Sequence, residues 1–128
     1  MSAEPVDVAH LIKEWLKQRL AERFPELTVT HELNPNWALR SDPVLLIADD
    51  GGPLDKYPVA TSTTIRGTSW TSGRDPRYVS AAVAQLLTHR VPGIAAILPG
   101  TLLLDAGRDP KNRGDLSSFT VRTRARMQ

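Results

Sequence analysis

From Asp75 to Gly93 the chain spells out a helix with both ends marked. Asp75 can cap and Pro76 supplies a pre-set first turn. Val79, Ala82, Val83, Leu86, Leu87 and Val91 then recur at helical spacing, and Pro92 and Gly93 stop the run. The flanking segments, Val59 to Trp70 and Ile94 to Phe119, are rich in Thr, Val, Ile and Leu and lack a helical period. A helix with one apolar face set between such segments buries that face most simply across one side of a sheet. This constraint organises the reading of everything else.

A second amphipathic helix is expected from about Pro5 to Arg23. Val8, Leu11, Ile12, Trp15, Leu16, Leu20 and Phe24 fall three or four apart, and Pro25 ends it. Leu27 to Glu32 alternates as a short strand. Val44 to Ala48 is a continuous aliphatic run, which suggests cover on both faces. Val59 to Trp70 is Thr-rich and only half apolar on either face, which fits a strand partly exposed or pairing with another subunit. Ile94 to Leu98 is too short to classify by period, and Leu102, Leu103 and Leu104 read as the core of a strand. In the last strand Phe119, Val121, Thr123, Ala125 and Met127 point one way, and Thr120, Arg122, Arg124 and Arg126 the other. The expected fold is α+β, one domain over residues 1–128. Its order is α-β-β-β-α-β-β, with a mixed or antiparallel sheet and both helices packed on one face.

Composition narrows the function classes. One domain is expected of 128 residues, and with 41% hydrophobic but only 5% aromatic residues its core must be largely aliphatic. No cysteine is present, so disulfides and thiolate metal sites are excluded. Met1 to Val6 has no apolar run, and no stretch approaches the roughly 20 apolar residues of a membrane span. The expectation is a soluble protein with no membrane partner, made in a cytoplasm. Net charge is only +2, but residues 108–128 carry six basic residues against Asp109 and Asp115, leaving −2 for residues 1–107.

Tests for chemistry give little. Asp49 and Asp50 follow an aliphatic strand, where acids often hold a metal, yet Asp-Asp-Gly-Gly-Pro is ordinary turn sequence and no Walker glycine loop or spaced Glu and Lys pair accompanies it. His10, His31 and His89 show no metal-ligand spacing, and no Ser sits in a GxSxG elbow. No catalytic residue, cofactor or metal is therefore expected. Trp15 belongs to the helical stripe. Trp37 and Trp70 lie in loops, where each could cap the core or anchor a neighbouring chain. Arg122, Arg124 and Arg126 form a one-sided basic ladder: a solvated face, a face paired with acids such as Glu22 and Glu26, a subunit interface, or a loose contact with phosphate. The absence of interleaved aromatics argues against base stacking.

The whole layout resembles the tail terminator (tail-completion) proteins of long-tailed phages, and the similar neck proteins of the head-to-tail junction. The features that carry the resemblance are Val6, Asp7 and Val8 with the helix through Trp15 and Leu16, the β run Val29 to Ala48, and the Thr-rich strand ending Ile65, Arg66, Gly67. Gly73, Arg74 and Asp75 before the Ala-rich helix Tyr78 to Leu87, and the closing strand Phe119 to Met127, complete it. The likeness covers nearly the whole chain but is one of layout, without a diagnostic motif. It implies a virion protein without chemistry: a ring, commonly a hexamer, that ends tail-tube polymerisation and offers a surface to the head. The implied partners are further copies of the chain, the major tail tube protein, a head-to-tail connector or stopper, and DNA passing through the lumen. Loops Leu33 to Asp42, Asp49 to Tyr57 and Asp105 to Asp115 would dock, with Trp37, Asp49, Asp50, Trp70, Lys111 and Arg113 as the residues placed there. Arg66, Arg122, Arg124 and Arg126 would lie at a subunit interface or line the DNA channel. Three alternatives stay open: a neck stopper or adaptor, a small nucleic-acid-binding module using the C-terminal arginines, and an enzyme with an acidic metal site at Asp49 and Asp50.

Overall fold

A computed structural model describes residues 7–51 and 60–126. The elements are α1 (Val8–Ala21), β1 (Thr28–Thr30), β2 (Val44–Gly51), β3 (Ala60–Thr71), α2 (Arg77–Thr88), β4 (Ala96–Leu103) and β5 (Asp115–Arg126). The order is the expected α-β-β-β-α-β-β. The expected helix start at Pro5, most of the 49–57 loop, Val59 and Met127 lie outside the described residues.

Each helix begins where its sequence permits. Asp7 caps α1, its Oδ1 accepting the His10 N–H at 3.1 Å. The α2 cap position falls on Pro76, one residue later than expected, and Asp75 Oδ1 instead accepts the Arg77 N–H at 3.2 Å. The helix ends at Thr88, before the Pro92 stop, yet Val91 still reaches the core. Val8, Ile12, Leu16 and Leu20 of α1, with Tyr78, Val79, Ala82 and Leu86 of α2, are buried in one cluster.

The five strands form a single mixed sheet in the order β1-β2-β3-β5-β4, with only the β1–β2 pair parallel. Both helices lie on one face, α1 over β1 and β2 and α2 over β3, β4 and β5. That face receives Leu45, Ile47, Ile65, Phe119 and Val121, each 1% exposed or less. Of the two alternatives for the Thr-rich β3, partial exposure is the one seen: it sits between β2 and β5, with both edges paired within the chain, and its outer face is partly exposed. Leu102 and Leu103 lie in strand β4, as expected, and with Leu104 just beyond it they are 46%, 51% and 47% exposed at the sheet edge.

The weak apolar character of β3 has a physical cause in its partner. Gly67 faces Phe119 across the ladder, and a Cβ at position 67 would collide with ring atoms Cε1 and Cζ of Phe119. The ring fills the space a side chain would take, so β3 contributes little apolar surface of its own there. Further along, hydroxyls replace alkyl groups and satisfy themselves locally: Ser117 Oγ donates to the Leu104 carbonyl at 2.7 Å and Thr123 Oγ1 to the Thr63 carbonyl at 3.0 Å. Ser69 Oγ is buried without a partner among the described residues.

Gly67→Val is expected to force Phe119 out of its site and lower stability by about 1–3 kcal/mol, as overpacking does. Urea unfolding of the variant beside the wild type checks this. A Gly67→Val variant as stable as wild type would show that the ring has other room.

Candidate assembly surface

The period-2 alternation of β5 sends Phe119, Val121 and Thr123 to the helices and Thr120, Arg122 and Arg124 to the opposite face. Arg126 holds the same register position, opposite Ala60, but its side chain lies outside the described part. Arg122 and Arg124 are exposed and, among the described residues, make no ion pair. Glu26, an expected partner, lies with Tyr78 on the helix side instead, accepting its hydroxyl at 3.5 Å. Ser62 and Thr64 stand across from Arg124 and Arg122 on β3, and Ala96 and Leu98 on β4. Together they line a concavity of about 410 Å³.

Arg66 points to the same face but is engaged: its Nε donates to Asp50 Oδ2 at 2.8 Å. With both side chains partly in water, such a pair contributes roughly 0–1 kcal/mol. Asp49 Oδ1 accepts from Thr63 Oγ1 and the Gly51 N–H, each at 2.6 Å. The two aspartates therefore continue β2, across a bulge, rather than forming the expected turn. Among the described residues no three His, Asp or Glu side chains gather as a metal site requires.

The other end of the open face is covered by the chain itself. Trp37 is 5% exposed and donates Nε1–H to the Asp42 carbonyl at 2.9 Å. Trp70, half-buried, donates Nε1–H to Asp109 Oδ2 at 3.0 Å. Both indoles close over Gly114, where a Cβ would come within 3.0 Å of each. Of the two roles open to these tryptophans, packing within the chain is the one the geometry supports, and Trp37 in particular is too covered to anchor a neighbour. Lys111 and Arg113 remain exposed on the adjoining loop, which Asp109 orders by accepting the Lys111 N–H at 2.8 Å. The indole N–H, then that backbone N–H, hold the Asp109 carboxyl below its usual range.

Asp115, at the start of β5, ties this end together. Oδ2 accepts the N–H groups of Gly73 and Arg74 at 3.0 and 2.9 Å, and Oδ1 accepts Arg108 Nε at 3.1 Å. Gly73 and Arg74 both adopt positive φ, +87° and +53°, which aims their N–H groups at one oxygen. Burial works against the charge on Asp115, but the donors from Arg74, Gly73 and Arg108 outweigh it, so its carboxyl is lowered. Neither this anchor nor the indole pair had a signal in spacing, since their partners lie about 40 residues away in sequence.

Comparison with known proteins adds no identity: no family model matches the chain, and no curated protein does.

Because the Asp115 pKa is lowered on folding, its stabilisation is present above the unfolded carboxylate value of about 3.9 and is lost as pH falls through the lower folded value. Asp115→Asn is therefore expected to unfold at a lower temperature than wild type at neutral pH and to lose less stability between about pH 5 and about pH 2. Thermal melts across that range check it; parallel curves for the two proteins would contradict it.

Proposed function

We propose that this protein is a structural subunit of a long-tailed phage virion that assembles into a ring at the head-proximal end of the tail tube, ends tube growth and joins tail to head. The work is done by surfaces, without catalysis. The observation that carries the reading is the sheet face opposite the helices: it bears two exposed arginines, unpaired among the described residues, beside an edge strand with half-exposed leucines. A monomer gains nothing from this arrangement, whereas a head-to-tail cyclic contact would cover it, and a rotation that closes yields a ring. The layout resemblance supplies the finer statement, with six copies as the common stoichiometry and the tail tube protein and the connector or stopper as neighbours. Virion particles, after synthesis in the host cytoplasm, are where it would reside.

A nucleic-acid-binding module is the second reading, favoured by Arg122 and Arg124 standing free of acids among the described residues. Against it, Trp37 and Trp70 are committed to the chain's own packing and offer no stacking platform beside the arginines.

Electron microscopy of particles made without this protein separates the readings within the virion. Overlong tails are expected for a terminator, whereas tailless, DNA-leaking heads would assign the protein to the neck as a stopper. Alanine at Arg122, Arg124 and Arg126 is expected to disturb ring formation and leave DNA retention unchanged. A loss of salt-sensitive DNA retention with assembly intact would favour the nucleic-acid module.

A further inference from the structure

We infer that successive copies in the ring meet edge to edge across the open sheet face, with the Arg122–Arg124 edge of one copy docking on the Glu32–Asp42 edge of the next. The inference rests on the ring reading above and specifies its contact.

The two edges of the open face are opposite in character. At the β4 edge lies the concavity of Leu98, Arg122 and Arg124. At the β1 edge lies a second, of about 510 Å³, formed where Thr28, Thr30 and Val44 meet the 32–42 loop. Its charged lining residues are Glu32 and Asp42, both exposed, and neither forms an ion pair among the described residues. Arg40, in the same loop, is not part of the lining. Apolar surface accompanies the charge: Leu98 and Leu103, on the arginine face, each stand 51% exposed at the β4 edge, and Leu39, in the 32–42 loop but not in the lining, stands 40% exposed.

Several geometric facts select this contact over others. The edges sit at opposite ends of the strand order, so one copy's basic edge can meet the next copy's acidic edge while leaving its own acidic edge free. That is the heterologous contact a ring requires; a two-fold contact through the β4 edge alone would set arginine against arginine. Main-chain strand addition at β4 is disfavoured, because Pro99 has no N–H to donate and a register shift between Pro99 and Leu102 breaks the ladder. On the other side β1 has only three residues. Side chains must therefore carry the contact, with charge setting the alignment and leucine the buried area.

Charge reversal tests this with the full-length protein. Arg122→Glu with Arg124→Glu gives a chain with two acidic edges, and Glu32→Lys with Asp42→Lys gives one with two basic edges. All four positions are exposed, so each variant should match the wild-type circular dichroism and melting temperature. Ring formation is followed by sedimentation and negative-stain imaging, alone and on isolated tail tubes. Each variant alone is expected to assemble at least about ten-fold more weakly than wild type. An equimolar mixture is expected to recover rings, because alternating copies make every contact complementary in an even-numbered ring. Rings from either variant alone, at wild-type concentration, would overturn the edge assignment while leaving the ring reading standing. Failure of the mixture to recover, with both variants folded and wild-type rings imaged as even-numbered, would overturn it too. A wild-type protein that forms no ring even on tail tubes would remove the ring reading and this inference with it.

Discussion

The antiparallel ladder between β3 and β5 is the constraint on which the rest of this fold depends. It runs unbroken from Ala60–Arg126 to Thr71–Asp115, and it fixes which residues of both strands face the helices. A slip of one residue would carry Phe119 and Val121 into water and bring Arg122 and Arg124 under α2. Burying those charges without partners would cost several kcal/mol each. The Gly67–Phe119 fit holds the same register by shape, since Phe119 has room only opposite a residue without a Cβ.

With that register set, the two faces of the sheet follow different rules. The helix side is a largely aliphatic core in which the buried hydroxyls of Ser117 and Thr123 bond to nearby carbonyls. The far side is divided along its length. One end is sealed by Trp37, Trp70 and Gly114 and pinned by Asp109 and Asp115; the other is left to Arg122, Arg124 and Leu98. The anchored end gives the sheet a rigid frame from which the bare end can be presented in a fixed geometry.

Element order and the facing of β5 were legible in the sequence because they depend on local periodicity: the helical stripes of α1 and α2 and the period-2 alternation from Phe119 to Arg124. The position of β3 was not legible, because its apolar content is supplied by Phe119 from another strand. Leu102 to Leu104 were legible as strand but not as exposed edge, since a run of leucines does not say what covers it, and at the β4 edge no described residue covers them fully. Of the surface residues named from sequence, Arg122 and Arg124 lie together on the bare face, Arg66 and Asp50 pair with each other, and Trp37 turns inward. Those differences arise from contacts between residues distant in the chain, which spacing cannot report.

The same edge explains why a single contact between copies would be weak and a closed ring durable. Full burial of a leucine side chain is worth roughly 1.5–3 kcal/mol. Leu98 and Leu103, the strand leucines on the arginine face, already have about half their surface covered, so a neighbour can recover only about half of that from each. The sum, of the order of 1.5–3 kcal/mol, falls below the 4–15 kcal/mol estimated for the lost freedom of two associating molecules. One edge alone thus does not offset the cost of joining, with Arg122 and Arg124 contributing orientation more than affinity. In a ring the last copy forms two contacts for one loss of freedom, and a tube end that already holds the copies side by side removes much of that loss. Such an edge is suited to stay unassembled in dilute solution and to close where a template gathers it.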